Sequence, residues 1–310
     1  MHDLAHTSKV VAILGATAVG KTALALGLVA RFGGEIVSAD SRLLYRGMDT
    51  GTAKPTTAER AAAPHRLIDV TTPDDQWDVA RWSSAARATI AEIAARGRLP
   101  LVVGGTAQYT TVLLDGWEPP AVPPDWEFRA ALETRAESEG VATLLAELAA
   151  VDPEAATRTG PNLRRIIRAL EVICATGEPF SVQRGRGPKP YDDLRLALTL
   201  PRDALYARID ARVEAMAAAG LVDEVRGLLA AGYDRALPAM SGIGYAQIAA
   251  YLAGERTLDE AKADIRHATH RYARHQLTWL RRDPSAVPID ATDPARALAE
   301  ATERVAAFLG

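Results

Sequence analysis

Along the first third of the chain, short unbroken apolar runs alternate with stretches whose apolar residues recur every three or four positions. Val10-Val11-Ala12-Ile13-Leu14, Glu35-Ile36-Val37-Ser38-Ala39 and Leu99-Pro100-Leu101-Val102-Val103 predict strands, the first and last of the buried type. Between them, Ala23 to Arg31, closed by Gly33-Gly34, predicts a helix. So does Val79 to Arg96, with Val79, Trp82, Ala86, Ile90 and Ile93 at helical spacing and Gly97 as its stop. Strands alternating with helices predict a doubly wound parallel α/β sheet. Tyr45 to Pro73, rich in Gly, Pro and Thr, reads as a ligand-facing loop region holding one brief strand, Leu67-Ile68-Asp69-Val70.

The rhythm breaks at Asp115 to Pro124, where Trp117 and four prolines interrupt it. Helical patterns follow at Trp126 to Ser138, Val141 to Ala150 and Leu163 to Thr176, with no strand pattern until Leu194 to Leu200 returns the chain to the sheet. The expected division is a core of 9–115 with 194–310, and an inserted helical subdomain of 116–193. Past the returning strand the pattern is helical: Asp203 to Ala219, Val222 to Ala231, Tyr245 to Ala253 and Leu258 to Arg282, then a tail with one weak helix.

Composition narrows the class. Forty-eight per cent hydrophobic residues in 310 suffice for a large core, so a globular enzyme is expected. The net charge of −3 gives no global sign of a nucleic-acid binder, which turns attention to local basic faces. Arg158, Arg164, Arg165 and Arg168, then Arg184, Arg186 and Lys189, form one; His267, Arg271, Arg274, His275, Arg281 and Arg282, interleaved with Tyr272 and Trp279, form another. The single cysteine, Cys174, allows no internal disulfide and is expected in the core. A short polar start and the absence of any long apolar run predict a cytoplasmic protein with no membrane segment.

The chemistry begins where the first strand ends, at Gly15-Ala16-Thr17-Ala18-Val19-Gly20-Lys21-Thr22. Glycines at this spacing let the backbone wrap phosphate oxygens, while amides at the following helix start point at the anion. Lys21 would neutralise the outer phosphates and the Thr22 hydroxyl would hold Mg2+. The fold class is therefore a P-loop NTPase-like parallel sheet core with an inserted helical subdomain. Asp40-Ser41 and Gly104-Gly105-Thr106 end neighbouring strands, so both are expected beside the phosphate loop. Asp40 there can coordinate a metal through water or take a proton. Arg208 and Arg212, four apart on one helix face, can clamp a charged leaving group, with Arg212 expected at the phosphates. A small-molecule kinase uses the same loop and base, but normally has an acid where this chain has Gly104-Gly105-Thr106.

Several of these runs together resemble the tRNA dimethylallyltransferase, or tRNA isopentenyltransferase, family. They are the phosphate loop, Ser38 to Asp49, Gly51-Thr52-Ala53-Lys54-Pro55, Pro64 to Asp69, Gly104-Gly105-Thr106, Arg168 to Val172, Arg208 to Arg212, and Gln276-Leu277-Thr278-Trp279-Leu280-Arg281. The chain departs from the family pattern at Ala107-Gln108 and at Asn162-Leu163-Arg164-Arg165. The resemblance implies transfer of a dimethylallyl group from dimethylallyl diphosphate to N6 of adenine 37, beside the anticodon of tRNA. It implies Asp40, Thr106 and Arg212 as catalytic residues, Gly15, Thr17, Ala18, Gly20, Lys21 and Thr22 around the diphosphate, and Mg2+ on Thr22. It further implies Asp40, Ser41, Tyr45, Arg164, Arg165, Arg168, Arg271 and Arg274 at the tRNA anticodon stem-loop, with the protein acting as a monomer.

Overall fold

The computed structural model describes residues 8–120, 122–183 and 185–310, and at Arg186 the backbone alone. Met1 to Thr7, Arg184 and the side chain of Arg186, named above, therefore lie outside the described residues. In order the elements are β1 (Lys9–Gly15), α1 (Lys21–Phe32), β2 (Glu35–Ala39), α2 (Thr57–Ala62), β3 (His65–Arg66), α3 (Val79–Ala95), β4 (Pro100–Gly104) and α4 (Ala107–Leu114). Next come β5 (Trp117–Glu118), α5 (Trp126–Glu139), α6 (Val141–Val151), α7 (Pro153–Thr159), α8 (Leu163–Thr176) and β6 (Gly185–Arg186). The last are β7 (Asp192–Thr199), α9 (Arg202–Ala218), α10 (Leu221–Ala230), α11 (Tyr245–Leu252), α12 (Leu258–Leu280), β8 (Ala286–Asp290) and α13 (Pro294–Leu309).

Six strands form one parallel sheet in the order β3-β2-β4-β1-β7-β8. β1 lies between β4 and β7, with Leu14 level with Gly104 and Gly15 level with Leu198. Its run Val10 to Leu14 is almost fully buried, as an inner parallel strand covered on both faces requires. One face packs α1 and α13 through Leu28, Ala297, Ala301 and Val305, and the other packs α3 and α4 through Trp82, Ile90, Ile93 and Leu113. Because every strand runs the same way, the loops after β1, β2 and β4 open together at the carboxyl edge. Among the described residues no helix is long and apolar enough to cross a membrane.

The chain divides into two compact units, one running to Leu114 and resuming at Lys189, the other Asp115–Pro188. The insert thus ends earlier than 193, because β7 starts at Asp192, where it already pairs with Lys9. In the second unit α5, α6, α7 and α8 close around Leu132, Leu144, Leu148, Ile166 and Ile167. It also holds a small antiparallel ribbon, β5 with β6, where the sequence pattern gave no strand; two residues a side are too short for an alternation to register.

Three other expectations are corrected. The strand drawn at Leu67 to Val70 sits instead at His65–Arg66, and Leu67 and Asp69 take left-handed backbone, φ 59° and 57°. Asp69 is bent there onto Lys54 and Arg60. The tail holds its expected helix, α13, which covers α1, but also a strand the pattern missed, β8, the sheet's last. Cys174 is exposed, since it lies in the last turn of α8 beyond the packed stripe that ends at Val172.

Candidate functional site

Residues 15–22 fold into the expected strand, loop and helix start. Gly15, Ala18 and Gly20 have positive φ, 154°, 64° and 110°, the kind of backbone that curls a loop around an anion. Lys21 reaches back across the curl and donates to the Gly15 and Ala16 carbonyls at 3.1 and 2.8 Å. Burial lowers its pKa, the Asp40 carboxylate pulls it partly back and Arg212 lowers it again, to about 8. Lys21, Asp40 and Arg212 therefore share one electrostatic neighbourhood.

Asp40 begins the turn after β2, where its Oδ1 accepts the Arg42 amide at 2.9 Å. Thr106 begins the segment after β4, and its Oγ1 accepts the Ser41 amide at 3.1 Å. These two strand ends are thus tied directly to each other. The phosphate loop is tied to them by Gln276 of α12, which the sequence showed only as part of a motif. Gln276 Oε1 accepts the Thr17 amide and its Nε2 donates to the Gly105 carbonyl, both at 2.9 Å. Gly105 has to be glycine for this: a Cβ there would stand 2.2 Å from Gln276 Nε2 and 2.9 Å from the Gly15 carbonyl. Tyr272, one turn earlier on α12, also lines the cavity, with 39% of its surface exposed. Loss of water and the nearby Asp40 push its hydroxyl up to about 12, partly offset by hydrogen bonds with Thr106 and Gln276.

Arg208 and Arg212 of α9 both reach this region. Arg208 donates to the Val19 carbonyl at 3.4 Å, and Arg212 lines the cavity. Desolvation at the cavity wall lowers the Arg212 pKa, against the pull of Glu59, and the guanidinium stays charged. The acids that would make them an ordinary surface pair are taken: Glu214 binds Lys262 and Arg266, and Asp210 faces His270.

The cavity holds about 120 Å³ and its wall is part polar, part apolar. Thr17, Lys21, Asp40 and Arg212 supply polar groups, whereas Ile209, Val213, Met216, Ile243 and Ile265 supply hydrocarbon. Gly51-Thr52-Ala53 closes one side. That segment is held by Glu224 of α10, whose carboxylate accepts the Asp49, Thr50 and Gly51 amides and the Tyr245 hydroxyl. Among the described residues no three acids, histidines or cysteines gather as a metal cage. The oxygen donors at the cradle, the Thr22 hydroxyl with Asp40 nearby, suit an ion such as Mg2+ that takes few protein ligands and completes its shell with phosphate and water.

The residues expected at RNA divide. Arg164 and Arg165 are exposed at the start of α8, and Arg271 and Arg274 on α12. With His267 and His270 the latter two line a shallow basic cleft. Ser41 sits beside Asp40, partly exposed. Tyr45 is different: at 6% exposure it packs with Met48, Val213 and Val225 in the core, because the chain turns inward between Leu44 and Met48. Arg168 is committed within its own unit, to Glu171 at 2.6 Å and to the Pro120 and Val122 carbonyls. At the two departures from the family pattern, Ala107 opens α4 and Asn162 caps α8 through its side chain. Tyr109 stacks on Trp82 with ring centres 4.1 Å apart.

A parallel sheet with a glycine-rich phosphate loop at its carboxyl edge defines a phosphate-loop protein. Residues 43–283 match the family model described as IPP transferase. The chain is 57% identical over 286 residues to a tRNA dimethylallyltransferase of Roseiflexus sp. (strain RS-1), spanning 91% of this chain and 94% of that one. A tRNA dimethylallyltransferase of Thermomicrobium roseum is 53% identical, over 92% and 87% of the two chains. In structure it is similar to the tRNA isopentenylpyrophosphate transferase of Bacillus halodurans (TM-score 0.74, 39% identity, 97% of each chain). A eukaryotic dimethylallyltransferase acting on tRNA superposes with a TM-score of 0.81 at 26% identity, over 96% of this chain and 77% of that one. The chain belongs to the IPP transferase family. The kinase alternative falls with this result.

Proposed function

We propose that this protein transfers a dimethylallyl group from dimethylallyl diphosphate to N6 of adenine 37, next to the anticodon of tRNA, releasing diphosphate. One observation carries the reading: phosphate-loop residues, Asp40 and an apolar wall line a single cavity. A short allylic diphosphate divides into the same two halves.

In this reading the loop amides, Thr17, Lys21 and Thr22 hold the diphosphate, and Arg208 and Arg212 flank it. As the allylic C–O bond breaks, its electron pair leaves on the diphosphate, whose growing charge meets the ammonium, the guanidinium groups and the oriented amides. The N6 lone pair forms the C–N bond, and Asp40 accepts the proton that N6 gives up. Thr106, fixed against Ser41, holds the acceptor side of the same junction. Mg2+ on Thr22 would supply further neutralisation of the diphosphate. The adenine must be drawn out of its stack, at a cost of about a few kcal/mol, which phosphate contacts elsewhere on the RNA offset. In this reading Ser41, Arg271 and Arg274 of the sheet unit and Arg164 and Arg165 of the helical unit, all at least partly exposed, would make such contacts. The protein is expected to work as a monomer in the cytoplasm.

The direct test incubates the protein with Mg2+, labelled dimethylallyl diphosphate and an unmodified anticodon stem-loop carrying adenine at the target position. Label is expected in that adenine. A stem-loop that stays unlabelled, with an active relative as positive control, would overturn the reading.

A further inference from the structure

If the cavity takes an allylic diphosphate, its walls also decide how long the hydrocarbon can be. Two of those walls are α9 and α12, and three contacts fix their register: Tyr206 with Arg274 at 3.0 Å, Asp210 with His270 at 2.9 Å and Glu214 with Arg266 at 2.7 Å. Four steps forward on α9 are matched by four steps back on α12, so the helices run antiparallel. The phosphate end of this pair is marked by Arg208 on the Val19 carbonyl and by Gln276 on the Thr17 amide. The far end of the cavity is then Met216 on α9 and Ile265 on α12, both lining it.

The apolar lining follows that direction. Ile209 belongs to the core cluster that contains the phosphate loop's Ala16, Ala18 and Val19. Val213, Met216 and Ile265 belong to a different cluster, packed with α10 and α11. Ile265 is 2% exposed and backed by that core, so it cannot swing aside for a longer chain. Arg212 lies one turn before Met216, and four residues of helix put about 6 Å between them. With carbon–carbon bonds near 1.5 Å, a dimethylallyl group extends about 4–5 Å from its reacting carbon and a geranyl group about twice that. The helical rise matches the first and falls short of the second.

The geometry points to Met216 and Ile265 as the residues that set donor length, closing the pocket to allylic diphosphates longer than five carbons. This rests on the prenyl-transfer reading above. The test assays the wild-type chain, Met216→Ala, Ile265→Ala and Met216→Phe, each with the stem-loop RNA and either labelled dimethylallyl diphosphate or labelled geranyl diphosphate. Wild type is expected to use the first donor and reject the second. Met216→Ala is expected to raise kcat/KM for geranyl diphosphate by about 10-fold or more, the scale on which an apolar pocket discriminates by size. Met216→Phe should raise the KM for dimethylallyl diphosphate, while inorganic diphosphate inhibits it as it does wild type.

Geranyl transfer by the wild-type chain would overturn the proposal. So would rejection of geranyl diphosphate by Met216→Ala that still uses the five-carbon donor. Should Ile265→Ala fail to fold, Met216→Ala carries the test alone, since Met216 is only partly buried. Wild type inert with dimethylallyl diphosphate would instead sink the parent reading, and the length limit with it.

Discussion

Lys21 is the residue whose state decides whether the cradle holds an anion. With its pKa brought down to about 8, the ammonium is lost only a little above neutrality. A protonated Lys21 pairs with phosphate and a neutral one does not, so kcat/KM for the diphosphate donor should be flat below about pH 8 and fall above it. Lys21→Met is expected to lose that limb and to bind donor about 10–100-fold more weakly at neutral pH, the scale of a charge-assisted hydrogen bond. Initial rates across the alkaline range check both. Gly105→Ala makes a steric test at the same scale: its methyl would collide with Gln276 and the Gly15 carbonyl, costing about 1–3 kcal/mol in denaturant unfolding and weakening donor binding. Lys21, Asp40 and Thr106 were legible in the sequence because each sits in a short motif at a strand end, where position and chemistry are both local. The part played by Gln276 was not, since its partner Thr17 lies 259 positions away. The burial of Tyr45 and the partners of Arg168 were illegible for the same reason. Their residue types suit RNA, but a side chain's burial and its partners are set by distant packing.

Elements show the same division. β1, β2, β4 and α3 announce themselves by unbroken apolar runs or by helical spacing, whereas β8 carries Pro288, tolerated because it is an edge strand. α12 does two jobs whose residues alternate along it: basic side chains on an outer cleft, Tyr272 and Gln276 on the cavity. Replacing Gln276 by Met keeps its bulk but unties the phosphate loop from the Gly105 segment. The expected result is a turnover lower by about 10-fold or more, with a stability loss of only about 1–2 kcal/mol. Equal losses in the folded fraction and in activity would reduce Gln276 to a packing residue. In the helical unit the hub is Glu171. Burial alone would raise its pKa, but Arg129, Arg168 and the Asp125 amide hold it at about 2. Such a depressed carboxylate stabilises the fold above its unfolded value near 4.5 and loses that contribution as pH falls toward 2. Glu171→Gln should therefore destabilise the protein by about 2–3 kcal/mol at neutral pH and flatten the acid limb of its melting temperature.

For the whole molecule, the question is how a chain of net charge −3 engages a polyanion. Its cations must be concentrated where they meet phosphate, since a protein of this charge gains nothing from its overall field. The α12 cleft is such a concentration, with His267, His270, Arg271 and Arg274 facing one space. Each arginine that pairs with a phosphate releases condensed counterion, so the salt dependence of RNA affinity counts the contacts. Arg271→Ala with Arg274→Ala should weaken tRNA binding and make the slope of log affinity against log salt shallower by about 1–2, measured by filter binding over a salt series. The KM for dimethylallyl diphosphate should hardly move, because the donor's anchors are Thr17, Lys21 and Arg212 on other elements. That second measurement separates the two roles of the helix. A double variant with an unchanged slope and a raised donor KM would mean that the arginines act only by holding α12 against α9, through contacts such as Arg274 on Tyr206, and that the RNA's phosphates are met elsewhere.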